Sequence, residues 1–160
     1  MAAKAAFDVE LARGLIDRRR STAGAALPML HDLQHQFGYI DDTAVALMAD
    51  ALNISKAEAL GIVSFYHDFR RSPIEGPVLK LCRAESCQAM GCEELVTYLE
   101  TRHGLTPDNA DTGRGLHVET VYCLGNCALS PAALLDGAPI GRLDRSKIDA
   151  IVADTKGKLS

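Results

Sequence analysis

Pro77-Val-Leu-Lys-Leu-Cys82-Arg-Ala-Glu-Ser-Cys87 carries a short apolar run straight into a pair of cysteines, and Val121-Tyr-Cys123-Leu-Gly-Asn-Cys127 does the same further along the chain. A loop a few residues long can aim two thiolates at one centre, and a second such loop, brought alongside by the fold, completes a four-sulfur shell. Tetrahedral zinc is usually gripped by tight C-x2-C turns. Here the pairs enclose four and three residues, wide enough for each to take a different iron of a two-iron cluster. Spacing therefore favours iron-sulfur over zinc, with cysteines that merely pack as the plain alternative.

Such a centre constrains its surroundings. Two ferric ions, two sulfides and four thiolates sum to two net negative charges, and one-electron reduction adds a third, so donors are needed nearby. Gly125 has no Cβ and can take a positive φ that turns backbone N–H groups toward sulfur. Arg83, beside the first ligand, either points inward and adds positive charge or is a solvated surface residue. Cys92 lies as far from Cys87 as Cys87 does from Cys82, so spacing alone permits either as the first pair. Local pattern favours Cys82, at the end of the strand-like run, because Cys92 belongs to a helical stretch through Glu93-Glu-Leu-Val-Thr-Tyr-Leu99. Cys92 then reads as a free, apolar thiol.

The chain has 160 residues, 48% of them hydrophobic, a formal net charge of -4 and five cysteines. No apolar run approaches the ~20 residues of a membrane helix. The alanine-rich start is too short in its apolar run for a secretory signal, and Asp8, Glu10 and Asp17 argue against a transit peptide. These features place the protein in the cytoplasm, where reduced thiols favour metal over disulfides. No lysine and arginine face for nucleic acid is evident; Arg18-Arg19-Arg20 reads as the solvated end of a helix.

Pro73-Ile-Glu-Gly-Pro77 interrupts helix-like periodicity and divides the chain into residues 1–72 and 77–160. Before the break, apolar residues recur at helical spacing over about Phe7 to Arg19, Leu27 to Phe37, Thr43 to Leu52 and Lys56 to Phe69. Asp41 or Asp42 and Ser55 are expected N-caps, with Glu58 completing a capping box. After the break the order reads strand Pro77 to Cys82, helix to about His103, strand Leu116 to Tyr122 and strand Ala132 to Asp136. A turn at Asp136-Gly137, a segment from Pro139 to Gly141 and a helix from about Arg145 to Asp154 follow. This is a small α/β sandwich with a mixed sheet. Ser130-Pro131 is expected to be trans, as most X-Pro bonds are.

Several separate segments carry a resemblance: Leu30-x5-Gln36-Phe37-Gly38-Tyr39-Ile40, Gly61-Ile-Val-Ser-Phe65-Tyr66, the Cys82-x4-Cys87 pair, and Val121-Tyr-Cys123-Leu-Gly125-Asn-Cys127 followed by Ser130-Pro131. Over nearly its whole length the chain resembles the thioredoxin-like 2Fe-2S subunits of complex I, NAD-reducing hydrogenases and NAD-dependent formate dehydrogenases. The resemblance implies an N-terminal helical subdomain, a thioredoxin-like domain, and one 2Fe-2S cluster held by Cys82, Cys87, Cys123 and Cys127. It implies an electron-transfer role without catalysis by the chain alone. It also implies a partner flavoprotein subunit that carries the FMN and NAD sites. The short length and the Cys-Arg-Ala-Glu-Ser-Cys-Gln segment look most like the gamma subunit of a bacterial molybdenum-containing formate dehydrogenase, whose catalytic molybdenum subunit would be a further partner. The corresponding subunits of complex I and of the hydrogenase diaphorase are the alternatives.

Other patterns carry less. His31-Asp-Leu-Gln-His35 imitates H-E-x-x-H, but aspartate is a methylene short and no third ligand is identifiable. Gly113-Arg-Gly115 is half a dinucleotide fingerprint preceding a strand and reads as a turn. Phe65 and Tyr66 read as core, with a partner-docking surface as the alternative. A thiol-disulfide oxidoreductase would need a C-x-x-C nucleophile pair, and the sequence has none. A zinc-stabilised interaction module remains the rival without redox function.

Overall fold

Apolar residues three and four apart build four helices in the first part of the chain: α1 (Val9–Asp17), α2 (Ala26–Phe37), α3 (Asp42–Leu52) and α4 (Lys56–Phe65). The computed structural model describes residues 6–74, 76–109 and 115–157, and the chain divides into two compact units, Met1–Ile74 and Glu75–Ser160. The alanine-rich start, Glu75 of the expected break, and Gly113 and Arg114 of the expected turn lie outside the described residues. Three of these helices, α1, α3 and α4, begin where short polar side chains accept orphan N–H groups, whereas α2 follows Ala25 and has no side-chain cap. Asp8 accepts from Leu11 N at 2.7 Å, and Asp41 from Thr43 N at 2.7 Å. Ser55 and Glu58 form the reciprocal capping box. Asp41, not Asp42, is the cap; Asp42 opens α3 and pairs with Arg71. Gly38 (φ 87°) and Asn53 (φ 54°) end α2 and α3 in the left-handed region. Ile16, Leu30, Leu33, Phe37 and Met48 are among the buried residues that fill this unit's core. The arginine triplet begins just past α1, and Arg19 engages Asp32 of α2 at 2.8 Å, so it is an ion-pair partner as well as a helix-end cation.

The second unit is a four-stranded mixed sheet with helices, as the sequence implied. Its strands are β1 (Val78–Cys82), β2 (His117–Val121), β3 (Ala133–Leu135) and β4 (Ala138–Ile140), in the order β2-β1-β3-β4. β1 pairs parallel with β2, from Val78 opposite His117 to Cys82 opposite Val121. β1 and β3 are antiparallel, as are β3 and β4. Alternation buries Leu79 and Leu81 while Lys80 faces Glu119 at 3.6 Å. The β3–β4 turn is the expected Asp136-Gly137 pair, at φ 50° and 86°.

The single helix expected between β1 and β2 is broken into α5 (Glu85–Ala89), α6 (Cys92–Tyr98) and a π-helical turn, Leu99–His103. Gly91, at φ 86°, is the break, since a left-handed residue cannot continue an α-helix. The closing helix, α7 (Arg145–Gly157), runs past the expected end at Asp154. Ser130-Pro131 is cis, against the expectation of trans.

α4 also departs from the periodicity, ending at Phe65 instead of Phe69. The cause is tertiary: the Gln34 amide donates to Asp68 O at 2.6 Å and accepts from Arg70 N at 2.7 Å, and Ile40 N donates to Arg70 O at 2.7 Å. These bonds hold residues 68–70 alongside α2, which a continuing helix could not reach. Phe69 is thereby buried, whereas Phe65 and Tyr66 are 73% and 42% exposed, so the reading of both as core does not hold. Gln34→Ala removes two well-placed hydrogen bonds and should lower stability by about 1–3 kcal/mol in urea unfolding. A change below about 0.5 kcal/mol would show the clamp to be idle.

Candidate metal centre

Parallel pairing of β1 and β2 sends both cysteine loops out of the sheet at the same end, because the chain leaves two parallel strands in one direction. Cys82, the last residue of β1, faces Val121, the last of β2, and Cys123 lies two residues beyond. The junction is held by Cys82 N donating to Ala132 O at 3.0 Å and Arg83 N donating to Val121 O at 2.9 Å. Cys87 sits in α5, and Cys127 opens a 3-10 turn, Cys127–Leu129.

The sulfurs gather in two pairs. Cys123 and Cys127 Sγ are 3.9 Å apart, and the Cys87 side chain lies close enough to Cys82 to help hold its thiol low. Two sulfurs on one tetrahedral metal with bonds of about 2.3 Å lie about 3.8 Å apart, so the outer pair already has the spacing for one metal. Among the described residues no three His, Cys, Asp or Glu side chains form a group able to hold a single ion. The donor set is therefore two pairs on adjoining loops, which fits a two-iron centre with one pair on each iron better than one zinc. Cys82 and Cys87 are buried, and Cys123 and Cys127 are exposed.

The backbone around the sulfurs is arranged for negative charge. Burial opposes ionisation of Cys82, but N–H groups of Ala84, Cys123 and Leu124, with the Cys87 thiol, outweigh it and hold Cys82 below the usual thiol range. Cys127 is pushed up, first by its hydrogen bond and charge contact with Cys123, then by burial and by Cys87 and Cys82, because crowded thiols resist ionising together. Gly125 adopts φ 72° and its N–H points at Cys123 Sγ, 3.5 Å away, so its left-handed turn supplies the expected donor.

Arg83 follows neither sequence reading. It forms a two-pronged pair with Glu93, at 2.9 and 2.6 Å, so its charge is neutralised by a carboxylate instead of being directed at sulfur or left in water. Cys92 is fully buried at the start of α6, in the same small cluster as Cys82, Cys87 and Ala132, and its thiol donates to Glu93 at 3.7 Å. Burial, reinforced by the Glu93 carboxylate and Cys87, pushes Cys92 up to about 11. His31 and His35 lie on α2, where the His31 ring meets Phe69 edge-on at 5.1 Å and Asp32 is held by Arg19; no metal group forms there.

Two hydroxyls at the centre escaped the reading of the sequence. Ser130 is buried and makes contacts with Cys87, Cys127 and Ser86. The available signal was position: Ser86 stands between the first two cysteines, and Ser130 three residues after the last.

A thioredoxin-like domain with two loop-borne thiol pairs at one sheet end defines a small iron-sulfur protein. Residues 12–156 match the Thioredoxin-like [2Fe-2S] ferredoxin family, and the chain belongs to it; its cofactor is a 2Fe-2S cluster. The chain is 31% identical over 150 residues to a subunit of the NADH-quinone oxidoreductase of Rhizobium meliloti, covering 91% of this chain and 84% of that one. It is 28% identical to NADH-quinone oxidoreductase subunit 2 of Thermus thermophilus, covering 81% and 72% of the two chains. Among solved structures, an air-oxidized NAD+-reducing NiFe hydrogenase matches with a TM-score of 0.72 and 26% identity over 90% of this chain. There the chain spans only 24% of its counterpart.

The raised Cys92 thiol fixes the sign of a pH effect. The unfolded thiol, with an ordinary value of 9.0, loses its proton before the native one, whose value is about 11. The stability that Cys92 contributes is present below pH 9 and is lost as pH rises through about 11. In the metal-free protein, iodoacetamide at pH 8 should label Cys123 and Cys127 well before Cys92, as read by peptide mass mapping. Equal labelling of Cys92 would contradict its burial.

Proposed function

We propose that this chain is the electron-transfer subunit of an NADH-linked oxidoreductase complex, with Cys82, Cys87, Cys123 and Cys127 as ligands of its one 2Fe-2S cluster. The observation that carries the reading is the meeting of two sulfur pairs at the end of the parallel β1–β2 pair, each on its own loop. When bound, the cluster accepts and releases one electron at a time.

The chain's residues supply the rest. Four thiolates hold the irons, and N–H groups of Ala84, Cys123, Leu124 and Gly125 offset the charge on sulfur. The inner pair, Cys82 and Cys87, is shielded from water, and the outer pair, Cys123 and Cys127, lies at the surface, where a partner's redox centre can approach. In this reading the chain carries electrons and catalysis is assigned to its partners in the complex.

The names of the relatives support a complex I or NAD-reducing hydrogenase setting over the formate dehydrogenase setting expected from the Cys82–Gln88 segment. In either setting the neighbour is a flavoprotein with FMN and NAD sites; only the formate dehydrogenase reading adds a molybdenum subunit. No helix among the described residues is long and apolar enough to cross a membrane, and placement in the cytoplasm is part of the proposal.

Cys123→Ser should lose most of its iron, since an oxygen ligand is a harder and poorer match for the cluster, whereas Cys92→Ser should keep it. Iron content and visible absorption read both variants. Full iron and an unchanged spectrum in Cys123→Ser would remove Cys123 from the ligand set, and loss of the cluster in Cys92→Ser would make Cys92 a ligand. Purification of the tagged chain with its native complex separates the settings: bound flavin without molybdenum supports the first, and stoichiometric molybdenum the formate dehydrogenase.

A further inference from the structure

The hydroxyls of Ser86 and Ser130 form a closed arrangement around one candidate ligand. Ser130 Oγ donates to Cys127 O at 2.9 Å, and Cys87 Sγ lies 3.5 Å from Ser130 Oγ, its thiol hydrogen donating to that oxygen. Ser86 Oγ is 2.9 Å from Ser130 Oγ and 3.4 Å from the same Cys127 carbonyl. Ser130 is 8% exposed, which leaves little room for water to act in its place.

Metal binding changes this arrangement. As a ligand Cys87 has no hydrogen, and its sulfur becomes an acceptor. The contact with Ser130 would then set lone pairs against lone pairs unless the Ser130 O–H turns onto sulfur. That rotation leaves the Cys127 carbonyl without the Ser130 hydroxyl, but the Ser86 O–H is within reach of it, and Ser130 N already donates to it at 3.3 Å. Two hydroxyls and one N–H thus satisfy one carbonyl and one thiolate, with no buried acceptor abandoned.

Resting on the ligand assignment proposed above, we propose that Ser130 donates a hydrogen bond to the Cys87 thiolate and raises the reduction potential of the cluster, and that Ser86 positions Ser130 by taking over the Cys127 carbonyl. The direction follows from charge. Reduction adds one electron and one negative charge to the centre, so a donor aimed at sulfur stabilises the reduced form more than the oxidised one. The reductant in the test is dithionite, and both serine protons stay on their oxygens throughout.

Ser130→Ala and Ser86→Ala in the full chain, carrying the cluster, test this by EPR-monitored redox titration alongside iron and sulfide analysis. Both variants should hold as much iron and sulfide as the wild type. Poised at the wild-type midpoint, Ser130→Ala should show its reduced-to-oxidised ratio down about tenfold, or about 59 mV for a one-electron couple. Ser86→Ala should fall in the same direction by less, because Ser130 must then divide its hydrogen between carbonyl and sulfur. Full clusters with unchanged ratios in both variants would overturn the proposal. Should Ser130→Ala fail to hold the cluster, an unchanged ratio in Ser86→Ala overturns it equally, and a lowered one supports it. A wild-type chain that binds no 2Fe-2S cluster would overturn the ligand assignment together with this proposal, and is told apart by its iron and sulfide content.

Discussion

Everything at the metal centre depends on the parallel ladder between β1 and β2. Antiparallel strands would send the loops after Cys82 and Val121 out of opposite ends of the sheet, and the two thiol pairs would not meet. The register matters as much as the direction: with Cys82 opposite Val121, Cys123 emerges just beyond the strand end beside Cys82. A one-residue slip would also turn Leu79 and Leu81 out of the core, so hydrophobic burial of β1 and placement of the thiol pairs enforce the same alignment. Packing and site geometry are in this sense one constraint.

The second requirement is to keep concentrated negative charge in a partly buried place. The chain meets it with backbone donors more than with cations. Four N–H groups, those of Ala84, Cys123, Leu124 and Gly125, are directed at Cys82 or Cys123, two of them from residues in the Cys123 loop with left-handed φ. Arg83 is spent on Glu93, next to the buried Cys92. Fixed dipoles suit an electron carrier because they need not rearrange when the charge changes by one.

Local rules made much of this legible. The first three helices follow from apolar spacing, the starts of α3 and α4 from their caps, the Asp136-Gly137 turn from its φ requirement, and the donor role of Gly125 from its missing Cβ. The rest was decided by contacts distant in sequence. α4 stops early because Gln34, over thirty residues before, captures Asp68 and Arg70. Arg83 has its carboxylate ten residues on, and Ser130 meets Cys87 across 43 residues. The break at Gly91 was nearer to legible, but a lone glycine in a helical pattern is often tolerated, and nothing in the periodicity marks this one as left-handed. The cis form of Ser130-Pro131 likewise has no sequence signal against the trans preference.

Two loop-borne thiol pairs are proposed to bind one two-iron cluster. Anaerobic purification of the full chain, followed by metal and acid-labile sulfide analysis and EPR after dithionite reduction, tests this most directly. Two irons and two sulfides per chain are expected, with a half-integer-spin signal on reduction. A colourless protein that takes up a single zinc after attempted cluster reconstitution would contradict it and leave a zinc-stabilised module in its place.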